Sequence, residues 1–241
     1  MFGEPLLRLD ETDSTSRVAL DWDEAPHGAA VVARFQSGGR GRLGRKWESA
    51  PDLGLYLSLV LRVENFEAPL YSLASALGVT LALEILTGQN LRVKWPNDVL
   101  CLAKSGEARK IGGILCEARG NKLVIGIGIN VNQNADKLPL RPIFPASSLA
   151  LESGKSWEID AVLNAVLTEL SEILPRLDCS GWDEMRAQFE RKCLGIGEVV
   201  RVKSDAETLV GVFDSVDASG ALILRTADGV RRVLAGDVSY F

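Results

Sequence analysis

Residues 36–47 read Gln36-Ser37-Gly38-Gly39-Arg40-Gly41-Arg42-Leu43-Gly44-Arg45-Lys46-Trp47. Four cations and four glycines fall in this stretch without a single acid, in a chain whose net charge is −5. Glycine lets backbone N–H groups approach an anion closely, and arginine offers planar forks that match phosphate oxygens. Three readings are open at this point: a phosphate-binding loop, a solvated basic loop, or a nucleic-acid contact.

The flanks of the loop are strands. Ala29 to Phe35 is a β-branched run, and Leu53 to Leu61 alternates, with Leu55, Leu57, Leu59 and Leu61 on one side and Tyr56, Ser58 and Val60 on the other. That alternation predicts a half-buried strand. Upstream, Asp13-Ser14-Thr15-Ser16 has N-cap character and opens a short helix toward Leu20. Downstream, Pro69 starts a helix that Gly88 ends, with Leu70, Leu73, Leu77, Leu81 and Ile85 at helical spacing. A three-stranded meander is predicted next, over Leu91–Trp95, Lys110–Glu117 and Lys122–Val131, with a polar hairpin region at Lys104-Ser105-Gly106-Glu107 and an irregular loop from Asn134 to Pro145. Two helices follow, about Glu158–Leu174 and Trp182–Lys192, the second burying Trp182, Met185 and Phe189. After Gly197 four short strands (Val199–Val202, Leu209–Val216, Ala221–Arg225 and Val230–Leu234) suggest a small SH3-like barrel.

Composition narrows the function classes. The 241 residues suffice for one sizeable core and a smaller domain, at roughly 100–200 residues per domain. Mean hydropathy is near zero and the isoelectric point is about 5.1, which argues against a general nucleic-acid binder. Cys101, Cys116, Cys179 and Cys193 are widely spaced, form no CxxC pair, and fit a reduced, cytoplasmic setting better than a zinc site. The N-terminus lacks a signal-peptide pattern, and Leu70 to Leu86 is too short and too polar for a membrane span. His27, the single histidine, sits in a turn, so chemistry must rest on Lys, Arg and carboxylates.

Three further segments join the basic loop. Val93-Lys94-Trp95-Pro96-Asn97-Asp98 sets a cation, an amide and a carboxylate around one turn. Lys110-Ile111-Gly112-Gly113-Ile114-Leu115 and Gly126-Ile127-Gly128-Ile129-Asn130-Val131 put glycines in strand interiors, where a closely approaching ligand or backbone is their usual reason. Together they predict a flat, uncluttered binding floor; bulges or tight helix packing are the other reading.

With these motifs in this order, the whole chain resembles the biotin–protein ligases of the type without an N-terminal DNA-binding domain. The loop Gly39–Trp47 resembles the family's Gly-Arg-Gly-Arg-x-Gly-Arg-x-Trp signature, Lys94–Asp98 its Lys-Trp-Pro-Asn-Asp turn, Lys110–Leu115 its Lys-x-x-Gly-Ile-Leu strand, and Gly126–Asn130 its Gly-x-Gly-Ile-Asn strand. The resemblance implies an α+β fold with a mixed, mostly antiparallel sheet and flanking helices, class II synthetase-like, over residues 1–194. It also implies an SH3-like β domain over 195–241. It implies ATP-dependent activation of biotin as biotinyl-5′-AMP, with Mg2+, and transfer to a lysine of a biotin carboxyl carrier protein.

By this resemblance Ser14, Thr15, Gln36, Gly39, Arg40, Lys110 and Gly113 bind biotin. Arg42, Arg45, Trp47, Lys94, Asn97 and Asn130 bind ATP or the adenylate, with Lys110, Arg42 and Arg40 as the catalytic cations. Asp98 is a magnesium partner or a brace for the turn. The chain departs from the family pattern at Ser16 in place of Asn, at Gly38 in place of Ala, which is expected to loosen the empty loop, and at Cys116, read as a small core hydrophobe. A homodimer through a sheet edge is expected to be possible, with no DNA and no membrane partner. Two other functions stand beside this one: a lipoate or octanoate ligase or transferase of the same fold, the transferase requiring a cysteine nucleophile, and a non-catalytic biotin-responsive regulator.

Overall fold

The computed structural model describes residues 1–103, 105–139, 144–204 and 207–240. Lys104 of the expected polar hairpin and residues 140–143 of the expected irregular loop lie outside them. The main sheet has seven strands: Leu6–Thr12 (β1), Ala30–Gln36 (β2), Gly54–Arg62 (β3), Leu91–Lys94 (β4), Asp98–Leu102 (β5), Ala108–Arg119 (β6) and Lys122–Asn130 (β7), in the order β1-β2-β3-β7-β6-β5-β4. Its one parallel pair among the described strands is β1 with β2.

Helices Ala68–Thr87 (α2) and Ile159–Ser180 (α4) cover one face, and Thr15–Asp21 (α1) covers part of the other. β3 therefore runs buried on both faces, not half-buried: Leu55, Leu57, Leu59 and Leu61 meet the α2–α4 layer, while Val60 packs under α1. The same two-sided cover changes α2. Its middle is buried nearly all round, from Leu73 to Thr80, whereas Ile85 of the expected apolar stripe is 79% exposed. α2 is long and apolar enough to cross a membrane by composition, but it is a core helix wedged between sheet and α4.

Three elements differ from the sequence-based expectation for identifiable reasons. β1 carries Arg8, Asp10 and Glu11, charges that mask its pattern and suit an edge strand. β5 was hidden behind the Pro96-Asn97 turn; its Val99, Leu100 and Cys101 are fully buried, so the meander has four strands. α4 passes through Pro175 to Ser180, because Pro175 lies on the exposed side while Leu174 and Leu177 bury beneath it. A short helix, Leu149–Ser153 (α3), precedes α4, and Trp182–Lys192 (α5) follows it with Trp182, Met185 and Phe189 buried.

The C-terminal part is a five-stranded antiparallel sheet: Val199–Lys203 (β8), Thr208–Val216 (β9), Leu222–Thr226 (β10), Gly229–Val233 (β11) and Asp237–Tyr240 (β12), ordered β11-β10-β9-β8-β12. β12 is one strand more than the pattern gave. Indole donors fasten this sheet to the main body: Trp95 Nε1 donates to Gly220 O and Trp182 Nε1 to Asp217 O, each at 3.0 Å. α1 is held by Lys122, whose buried ammonium donates to the carbonyls of Leu20 and Trp22 at 2.8 Å, closing a helix end that has no basic residue of its own.

Candidate active site

The basic loop folds back on itself as a small hairpin. Gly41 N donates to Arg45 O at 2.7 Å and Trp47 N to Gly39 O at 2.9 Å. Gly39 is required there: a Cβ on it would lie 2.7 Å from Trp47 O. Leu43 sits at the tip with φ 56°, exposed, in the left-handed region that a non-glycine residue rarely adopts. Gly38 is tied down by its N–H to Asp13 O at 2.9 Å, so the looseness expected of it is countered by a backbone bond.

The hairpin closes over the α1 face of the sheet and encloses a cavity with the start of α1, β6 and β7. Ser14, Thr15 and Gln36 line one end, Arg42, Arg45, Asn97, Asp98 and Lys110 the other, and Trp47, Gly113 and Gly128 lie between them. Most of the expected site residues are thus brought together. Asn130 faces a second, smaller recess on the far side of Trp47, shared with Lys110. Lys94 lies just beneath, buried to 7% exposure with its Nζ 3.8 Å from Asp98.

Charge organisation is explicit. Asp98 lies between two lysines, with Lys110 Nζ at 2.6 Å on one oxygen and Lys94 on the other. Burial pushes the Lys94 ammonium down from its ordinary value, and Asp98 pulls it back. Arg42 donates to Asn97 Oδ1 at 3.2 Å, and Asn97 Nδ2 donates to Ile114 O at 2.7 Å, so the turn, β6 and the loop share one amide. Burial also lowers the Arg42 guanidinium. Arg40 lines the cavity, but its guanidinium pairs with Glu117 at 3.0 Å on the outer part of β6.

Asp237 is the site residue that reading the motifs missed. This residue of β12 lines the cavity and holds Arg45 in a two-pronged ion pair. Burial would raise its carboxyl, but the Arg45 hydrogen bond and the charges of Arg45, Lys94 and Arg42 outweigh that and hold it below the usual carboxylate range. A signal existed only in the sum of the parts: with Arg40 paired to Glu117, the clustered cations Arg42, Arg45, Lys94 and Lys110 need more counter-charge than Asp98 supplies.

The glycine floor is not the uncluttered surface expected. A Cβ on Gly128 would sit 2.5 Å from the Trp47 indole, and one on Gly126 would sit 2.6 Å from Ser16 Oγ. Those two glycines make room for protein side chains. Gly113 alone keeps ordinary spacing, 3.5 Å or more, to Asp98, Trp47 and Lys110. With Trp47 lying across the floor the cavity holds about 90 Å³. Pockets for small ligands run to roughly 300–1,000 Å³, so Trp47 and its hairpin must lift to admit one. The indole N–H has no hydrogen-bond partner in this closed arrangement.

Two family models fit these features. Residues 8–134 match the biotin/lipoate A/B protein ligase family, and residues 195–240 match the biotin protein ligase C-terminal domain. The chain belongs to the biotin/lipoate A/B protein ligase family. It is 31% identical to a biotin–[acetyl-CoA-carboxylase] ligase of Paracoccus denitrificans over 96% of this chain and 99% of that protein. It is 32% identical to the bifunctional ligase/repressor of Bacillus spizizenii, over 99% of this chain and 74% of that one. The solved biotin protein ligase from Aquifex aeolicus in complex with biotin and ATP superposes with a TM-score of 0.85, at 35% identity and 97% coverage of both chains.

Within that family, ligation and acyl transfer ask different things of a cysteine. Cys116 is not a lining residue of the main cavity; it packs against the core from the α2 side of β6. Burial, with Glu117 next to it, pushes its thiol up to about 12. A nucleophilic cysteine needs the opposite.

Proposed function

We propose that the protein is an ATP-dependent ligase that makes biotinyl-5′-AMP and passes the biotinyl group to a lysine of a biotin carboxyl carrier protein. The observation that carries this reading is the two-ended cavity: hydroxyls and an amide at Ser14, Thr15 and Gln36, and a cluster of cations around Asp98 and Asn97 at the other end. The likeness to ligases of known name supports it. We take residues 1–194 as the catalytic domain and 195–241 as the C-terminal domain.

In the first step a biotin carboxylate oxygen attacks the α-phosphorus of ATP, the bond from phosphorus to the bridging oxygen breaks, and pyrophosphate leaves. Two anions must meet, and negative charge builds on the phosphoryl oxygens. Lys110, at the cation end of the cavity, bridges carboxylate and α-phosphate; Arg42 covers the phosphate, and Arg45 and Lys94 meet the departing pyrophosphate. Gly39 and Arg40 approach biotin along the hairpin, and Gly113 leaves room beside it. Asn130 and Trp47 bracket the adenine recess. Mg2+ would enter with the nucleotide as MgATP, held largely by its phosphates. Both oxygens of Asp98 already face lysines, so Asp98 acts as a brace.

In the second step the carrier's lysine nitrogen attacks the acyl carbon, the acyl–phosphate bond breaks, AMP leaves and the amine loses a proton. The hairpin shields the anhydride from water until then. β5 pairs with β6 only as far as Gly113, so among the described residues no strand pairs with that edge of Leu115–Arg119 beside the cavity. We assign that edge to strand addition by the carrier domain. A second copy of the chain could use the same edge, and the two uses would compete.

Incubation with biotin, MgATP and a carrier domain should add one biotinyl group by mass spectrometry, with octanoate and lipoate run in parallel adding nothing; acylation by octanoate or lipoate in place of biotin would overturn the reading. Cys116→Ser should keep the transfer rate within about twofold, since burial leaves that thiol inert; loss of turnover would move the protein to the transferases. Asp237→Asn should raise the KM for ATP by about three- to tenfold while leaving the KM for biotin in place, as Arg45 loses its fixed partner. Steady-state kinetics varying each substrate separates the two constants.

A further inference from the structure

Behind the Ser14–Gln36 end of the cavity, Thr15 and Gln36 are hydrogen-bonded in a chain with two buried serines, Ser16 and Ser58, that nothing above uses. Thr15 N faces the Gln36 carboxamide at 2.8 Å. A backbone N–H only donates, so the atom facing it is the oxygen. The same oxygen lies 3.0 Å from Thr15 Oγ1, so the Thr15 hydroxyl also donates to it. Its proton being committed, Thr15 Oγ1 must accept from Ser58 Oγ, 2.8 Å away. Ser58 is then left to accept, and Ser16 Oγ, at 3.0 Å, donates to it.

One backbone N–H thus sets the direction of every proton in the chain. Two consequences reach the cavity. The Gln36 NH2 group, which gives one proton to Ser49 Oγ at 3.4 Å, keeps its other proton for a ligand, and Ser16 Oγ, which lines the cavity, turns only lone pairs. Ser58 is fully buried and does not line this cavity, so it acts on it through Ser16 and Thr15. The sheet makes room for this device: Ser58 on β3 pairs with Gly126 on β7, and a Cβ on Gly126 would sit 2.6 Å from Ser16 Oγ.

We propose that Ser58 is a positioning residue that fixes this proton order and thereby selects a ligand presenting an N–H donor beside a carbonyl acceptor, as a cyclic urea does. The inference rests on biotin being the ligand of this end of the cavity. It assigns Ser16 the role of ureido N–H acceptor and Ser58 the role of keeping Ser16 an acceptor.

The test is calorimetric binding of biotin, and of two biotin analogues each methylated on one ureido nitrogen, to the unmodified protein, Ser58→Ala, Ser16→Ala and the double variant. In Ser58→Ala biotin should bind about tenfold more weakly, ATP binding should be unchanged, and the preference for biotin over one of the methylated analogues should shrink by a similar factor. Ser16→Ala should give the same narrowing, and the double variant no more than either single one, because the chain acts as a unit. Should Ser58→Ala melt too early to be measured, Ser16→Ala against the same analogues carries the test. Equal weakening toward biotin and both analogues, or additive losses in the double variant, would overturn the proposal alone. Absence of biotin binding by the unmodified protein would remove the functional reading and this inference with it.

Discussion

Lys110→Ala should slow biotinyl-adenylate formation by about two to three orders of magnitude, the usual cost of removing a pre-placed charge from a developing transition state. Among the described residues Lys110 is the one lysine that touches both recesses of the site, and its backbone is held between Leu100 of β5 and the Pro145–Ser147 segment, whose carbonyl and amide bond it at 2.8 Å. Its ammonium is held by Asp98 at 2.6 Å, which leaves its remaining protons free for the ligands. Loss of the side chain should not cost the fold, because Asp98 is still faced by Lys94 and is itself partly open to solvent. An unchanged melting temperature with a collapsed single-turnover rate of adenylate formation is the expected pair of results. Lys110→Arg should restore little, since a planar fork cannot take the place of a compact ammonium between two anions.

Arg42→Ala should shorten the lifetime of the bound adenylate by about ten- to a hundredfold, the loss expected for a charged hydrogen bond of about 1.5–3 kcal/mol. The guanidinium is placed through Asn97, which in turn is fixed on Ile114 O. That fixed partner gives the guanidinium a defined place when the hairpin closes again over the phosphate. Chasing labelled biotinyl-adenylate out of the protein and following its release on a filter gives the lifetime directly. A lifetime equal to that of the unmodified protein would mean that Arg42 does not cover the phosphate.

The residues that carry charge or a turn were legible in the sequence because their chemistry leaves few alternatives. Arg42, Asn97, Asp98 and Lys110 line one cavity, and Lys94 lies beneath it against Asp98. The capping of α1 by Ser14 was equally legible, its side chain accepting from Arg17 N. What the sequence hid depends on packing partners from distant elements. Gly126 and Gly128 read as bare floor, yet what fills the space above them, Ser16 and Trp47, comes from α1 and the loop. Asp237 lies far along the chain in a four-residue strand and acquires its meaning only when β12 docks against Arg45. Ser58 looked like the polar side of a half-buried strand until α1 closed over it.

Biotin-dependent exchange of labelled pyrophosphate into ATP tests the central claim most directly, because it isolates the first step from any carrier protein. The protein should catalyse exchange only when biotin and MgATP are both present, and Lys110→Ala should nearly abolish it while remaining folded. Exchange without biotin, or undiminished exchange in Lys110→Ala, would contradict the assignment of this cavity to biotin activation.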